Sequence, residues 1–297
     1  MIRLLKPALT AGLVLLSASV ATAQDRPSIV TVNYPLQYLA ERLVGDTAEV
    51  VFPVPKGTDP SFWRPSIADI STVQSADLIV LNGAGFATWI DRVSLPRSKL
   101  VNTSAAIEDR FIVTESITHA HGDGGSHSHE GLASYTWLDP LLAIAQADAI
   151  AAGITARGLA PADEVEARLN DLKADLLALD TNAKNALAGL QYISIVATHP
   201  RYQYFAQSYG LSISALEWDA GAMPTQDEID ALRKLVAETG ARVMIWEAEP
   251  PAAAYQITSE LGLQNVVFET LAHQVEGRTF TEVFADALAA LAEAAAR

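Results

Sequence analysis

Apolar residues alternate between two spacings along this chain, and the alternation divides it into elements. Short apolar runs bounded by turn residues read as buried strands: Ser28–Val32, Ala48–Val54, Asp77–Leu81 and Leu100–Thr103. Between them, stretches around Leu36–Val44 and Pro65–Ser75 carry apolar residues at helical spacing. A further helical pattern runs from Leu138 to Thr155. Strands separated by helices predict parallel βα units, with helices covering both faces of a sheet.

The middle of the chain changes period. Between Pro161 and Gly189 there is no internal Pro or Gly, and Val165, Leu169, Leu172, Leu176, Leu179, Ala183 and Leu187 fall at alternating spacings of four and three. They share one face of a single helix, which at about 1.5 Å per residue spans roughly 40 Å. The βα alternation then resumes. Strands are predicted at Tyr192–Ala197, Leu211–Ala215, Arg242–Trp246 and Asn265–Phe268, and helices at Gln203–Tyr209, Thr225–Thr239, Ala252–Leu261 and Phe280–Ala295. The expected architecture is α/β in two lobes: residues 24–160, a connector helix over 161–189, and residues 190–297. A ligand cleft then lies between the lobes, at the carboxyl ends of the strands.

Residues 1–23 stand outside this plan. Arg3 and Lys6 precede an apolar run from Pro7 to Val20 and a small-x-small end at Ala21–Ala23, the pattern of a secretory signal peptide cleaved after Ala23. The run is too short to be a membrane span. With no cysteine present, the expectation is a soluble, monomeric periplasmic protein rather than one anchored through a lipidated N-terminal cysteine. The formal charge is −15, and the leader holds only basic charges, so the remainder is more acidic still. Nucleic acid and direct insertion into an anionic membrane are excluded as partners, since both require positive surface.

Four of the six histidines lie within His119-Ala-His-Gly-Asp-Gly-Gly-Ser-His-Ser-His129. Glycine and serine fill the gaps, which predicts a mobile, imidazole-dense loop suited to zinc or a similar borderline metal. Two more candidates sit at strand ends facing the cleft: His199, after Tyr192–Ala197, and Glu269, after Asn265–Phe268. His273 reads as a solvated loop residue. No Gly-x-Ser-x-Gly elbow, His-Glu-x-x-His helix or cysteine nucleophile is present, so a hydrolase has no motif to stand on and no enzyme is expected.

Several segments resemble one family. Pro55-Lys-Gly-Thr-Asp-Pro60 with Pro65-Ser66 and Asp69-Ile70, Ala76-Asp-Leu-Ile-Val-Leu-Asn-Gly83 with Trp89, and a His-rich stretch ahead of Trp137-Leu-Asp-Pro140 are similar, in order and in type, to the periplasmic solute-binding proteins of ABC importers for zinc and manganese. The resemblance covers nearly all of the chain after the leader. It implies two Rossmann-like lobes on a rigid connector helix, a membrane permease as partner, and a divalent ion as cargo, zinc rather than manganese because position 199 is histidine. It also implies four ligand positions, three histidines and an aspartate in zinc-type members. Here these positions are Ser61, Tyr135, His199 and Glu269: one match, one carboxylate exchange and two lost imidazoles.

A serine hydroxyl is a poor zinc ligand, and a tyrosine near its usual pKa of about 10 would need the metal to help deprotonate it. His119, His121, His127 and His129 are therefore expected as substitute or auxiliary ligands. An alternative is that the cleft has turned to a metal complex or other organic solute, met by Phe62, Trp63, Arg64, Trp137, Arg201 and Tyr202.

Overall fold

A computed structural model describes residues 26–119 and 127–297, with the side chains of all of these except 115–119 and 127–130. The signal-peptide reading and its cleavage after Ala23 fall outside the described residues, as does His121. Strand β1 (Ser28–Thr31) leads into α1 (Tyr34–Val44), whose first turn is capped by the Asn33 side chain accepting from the Leu36 N–H at 3.0 Å. Next come β2 (Glu49–Val51), α2 (Ile67–Ser75), β3 (Leu78–Leu81) and β4 (Leu100–Asn102). These four strands form one parallel sheet in the order β2-β1-β3-β4.

An antiparallel ribbon follows, β5 (Val113–His119) with β6 (His127–Leu132). Helix α3 (Pro140–Arg157) completes the first lobe. Helix α4 (Ala162–Ala186) precedes the second: β7 (Ser194–Ala197), α5 (Gln203–Tyr209), β8 (Ser212–Ala215), α6 (Gln226–Thr239), β9 (Val243–Trp246), α7 (Ala252–Glu260), β10 (Gln264–Val267) and α8 (Phe280–Ala296). Its sheet is again wholly parallel, in the order β10-β9-β7-β8.

The long helix behaves as its period requires. Val165, Leu172, Leu176, Leu179 and Ala183 are buried, and α4 packs on α1 and α3 of the first lobe and on α8 of the second. Arg168 binds the carbonyls of Leu43 and Val44 at the end of α1, where the helix dipole favours a cation. One polar residue on α4 departs from the outward pattern. Asp180 is buried, held by Lys184 at 2.6 Å and accepting from the Tyr209 hydroxyl at 3.3 Å.

The lobes share a continuous apolar core, from Ile29, Leu36 and Ile79 on one side to Phe205, Phe268 and Phe284 on the other. Polar ties cross between them as well. The Trp137 indole N–H donates to the Thr270 carbonyl at 2.7 Å, Ser208 Oγ donates to Asp139 Oδ2 at 2.6 Å, and the Tyr34 N–H donates to the Ala272 carbonyl at 3.1 Å. His273, expected as a solvated loop residue, instead donates through Nε2 to the Thr58 carbonyl, with its ring 5.3 Å from Phe52.

The described ends of the histidine segment are strand rather than irregular loop: the backbone pairs His119 with His127 and Ile117 with His129, while the centre of the expected loop, 120–126, lies outside the described residues. The β-branched residues of Val113-Thr-Glu-Ser-Ile-Thr118 favour an extended chain, and the ladder they start carries the flanking histidines into register.

Candidate functional site between the lobes

The cleft is lined by chain that leaves strand ends. In the first lobe, β3 runs into Asn82-Gly83. Gly83 is required there: its φ is +75°, and a Cβ would lie 2.2 Å from Asn102 Oδ1. This turn places buried Asn82 where its amide donates to the Ser134 carbonyl at 2.9 Å and its Oδ1 accepts from Gln146 at 3.1 Å. Asn82 thereby positions the segment that carries Tyr135. Tyr135 itself is buried against Phe86 and Trp137, at ring separations of 5.5 and 4.7 Å. Ser61 is buried too, its N–H and Oγ both donating to Asp59 Oδ1, at 2.8 and 2.6 Å.

In the second lobe, β7 ends at Thr198-His199 and a tight turn follows, with the Arg201 N–H on the His199 carbonyl at 2.9 Å. The His199 ring is buried, and its Nδ1 lies 2.9 Å from the Trp218 carbonyl. A carbonyl only accepts, so Nδ1 carries the proton, and in the neutral imidazole Nε2 is the nitrogen with the lone pair. Glu269 is half-buried after β10. Burial raises its carboxyl pKa above the ordinary value, and the Arg278 charge opposes that shift.

The feature that dominates the cleft is Arg201. Its guanidinium is buried, with Nη2 donating to Asp59 Oδ2 at 2.8 Å and Nε 3.7 Å from Glu247 Oε1. It lies over the Tyr135 ring at 4.7 Å and near the Phe62 ring at 5.7 Å. Burial works against the charge on Arg201, yet Tyr135, Glu247 and Asp59 together hold its protonation above the ordinary arginine range. Burial likewise pushes the Tyr135 hydroxyl up, well past its usual pKa, despite the neighbouring arginine, so at neutral pH it is a phenol. Glu247 is raised by burial against the pull of Arg201, and it accepts from Thr270 Oγ1 at 3.3 Å.

The structure therefore brings Ser61 and Tyr135 together, but around an arginine. No bond or ring contact joins them to Glu269 among the described residues, and no three of His, Asp and Glu there converge closely enough to hold a metal ion. A divalent ion beside the guanidinium would meet a repulsion of about 4 kcal/mol per pair of unit charges at 4 Å near a protein surface. Of the groups expected to favour an organic solute, Arg64 is exposed, Trp63 is packed in the core, and Arg201 is taken up by two carboxylates. That alternative has less support from the geometry.

Two residues of the cluster, Asp59 and Glu247, were not singled out from sequence. Glu247 had a usable signal. It follows the strand Val243–Trp246 directly, as Glu269 follows the end of β10.

Two parallel α/β lobes, a helix packed on both and a cleft at the strand ends define a solute-binding protein of the rigid, helix-linked kind. The chain belongs to the family described as "Zinc-uptake complex component A periplasmic", whose profile matches residues 29–294. That is a family of transport solute-binding proteins, not of enzymes.

Among curated relatives, the zinc-binding lipoprotein AdcA of Streptococcus pneumoniae serotype 4 is 28% identical over 267 residues, covering 86% of this chain and 52% of its own length. The high-affinity zinc uptake system protein ZnuA of Bacillus subtilis is 25% identical over 256 residues, covering 83% of this chain and 79% of that protein. The chain thus spans about half the length of the AdcA relatives it matches. In fold it is similar to the Zn(II)-bound ZnuA-like domain of Streptococcus pneumoniae AdcA, with a TM-score of 0.76 at 21% identity over 92% of this chain and 100% of that one.

Proposed function

We propose that this chain is the periplasmic capture component of an ABC importer, taking up a divalent metal, zinc ahead of manganese, and delivering it as a monomer to a membrane permease. The observation that carries this reading is His199. It is a buried imidazole at a strand end in the cleft of a zinc-uptake family fold, with its Nδ1 on a backbone carbonyl and Nε2 as the ligand nitrogen. Metal-binding histidines are held in this way, since the carbonyl sets both tautomer and ring orientation. The leader at residues 1–23 supports export, and the acidic chain suits a cationic cargo.

Glu269 is the proposed carboxylate ligand. Ser61 and Tyr135 do not complete the set, because the Ser61 hydroxyl is given to Asp59 and the Tyr135 ring lies against Arg201. The imidazoles of His119, His121, His127 and His129 are the proposed replacements. The ribbon whose strands hold His119, His127 and His129 closes at its base through the Ala133 N–H on the Ile112 carbonyl, two residues before Tyr135. Deleting residues 119–129 is therefore expected to lower zinc affinity by at least about tenfold in a calorimetric titration. Unchanged affinity would remove the segment from the site.

The shared core and the ties across the cleft make wide hinge closure costly. Small-angle scattering is expected to show almost the same radius of gyration with and without zinc. A large compaction on loading would contradict the rigid reading.

A further inference from the structure

We infer that Arg201 is the resident cation of this cleft: its guanidinium joins the lobes through Asp59, Tyr135 and Glu247 at the place where a bare ion would bridge them, and so determines what the cleft admits. The inference rests on the reading of the interlobe cleft as the solute site. It explains a substitution pattern that is otherwise only a loss. Ser61 and Tyr135 are uncharged at neutral pH, and both are bound into the arginine's surroundings. Ser61 braces Asp59, which accepts from Arg201 at 2.8 Å, and the Tyr135 ring lies under the guanidinium plane at 4.7 Å.

The grip crosses the lobes. Asp59 and Tyr135 come from the first, and Arg201 and Glu247 from the second. A metal held by one group from each of several segments ties such lobes in the same manner. Here a side chain of the protein does so permanently.

Charge and position both follow from this. Two carboxylates flank one guanidinium, so a second cation among them meets an immediate positive neighbour and at most one uncompensated negative charge. Arg201 is also two residues from His199 on one tight turn, with its N–H on the His199 carbonyl. The histidine and the arginine cannot be separated by a simple loop movement. A cargo ion is thus excluded from the Ser61–Tyr135 half of the cleft.

Two sets of variants of the full chain test this. Arg201→Ala leaves Asp59 and Glu247 facing a space with no cation. Its Tm is expected to fall and to recover most of the loss in low-millimolar guanidinium chloride, while sodium chloride at equal strength has no such effect and the unaltered protein gains nothing. Arg201→Lys, which keeps the charge without the flat face, is expected to fall between the two.

The second set measures zinc by calorimetry. Ser61→His with Tyr135→His is expected to gain nothing while Arg201 is present, and at least about tenfold when Arg201→Ala is added. A gain with Arg201 in place would overturn the inference. So would the absence of guanidinium recovery, with the paired histidine variant serving if Arg201→Ala does not fold. If the unaltered protein takes no zinc at all, the metal-capture reading fails, while guanidinium recovery still decides the role of Arg201.

Discussion

Trp137→Ala lowers the free energy of unfolding by about 3–5 kcal/mol, the range for truncating a large buried aromatic residue. Trp137 has no exposed surface. Its ring meets Phe86 edge-on at 5.1 Å and Tyr135 at 4.7 Å, and its indole N–H donates to the Thr270 carbonyl in the other lobe at 2.7 Å. The substitution opens a cavity under Tyr135 and leaves that carbonyl unpaired at once. Trp137→Phe separates the two effects. It keeps most of the packing and loses the hydrogen bond, so a smaller cost of about 1–2 kcal/mol is expected. Urea unfolding followed by circular dichroism measures both. A loss below about 1 kcal/mol for Trp137→Ala would mean that the lobes are not held together through this residue.

His199→Ala is expected to lower zinc affinity by about a hundredfold, or about 2.7 kcal/mol of binding free energy. The ring is held by the Trp218 carbonyl at 2.9 Å, so little ordering remains to be done when a metal arrives. Its removal also leaves that carbonyl unpaired, and a stability loss of about 1–3 kcal/mol accompanies the binding defect. Combining His199→Ala with deletion of residues 119–129 distinguishes one site from two. If both hold the same ion, the combined loss in affinity falls short of the sum of the separate losses. Calorimetry on metal-stripped protein gives each value. Zinc bound at unaltered affinity by His199→Ala would place the ion elsewhere.

Much of the fold was legible along the chain because its elements are local in origin. The runs Ile29–Val30 and Leu78–Val80 are buried in the middle of a parallel sheet, so their apolar character is continuous. The face of α4 shows as the spacing of Val165, Leu172, Leu176, Leu179 and Ala183. The ribbon at 113–132 was less legible. Its glycine- and serine-rich centre reads as a loop, while the pairing that orders its arms depends on a partner strand that period alone does not name.

The site divides along the same line. Sequence by itself determined the residue types: a histidine and carboxylates after strands, a serine and a tyrosine where the family has imidazoles, and a separate store of histidines. Only the tertiary structure decided which of these meet. Asp59 and Arg201 are 142 positions apart and come within 2.8 Å of each other, Glu247 reaches the same guanidinium from a third segment, and His273 crosses to Thr58 over 215 positions. No local pattern records such a pairing, because an ion pair or hydrogen bond across a cleft depends on where two lobes place their strand ends. Composition supplied the histidines as candidates for a metal; packing put an arginine in the middle of the cleft.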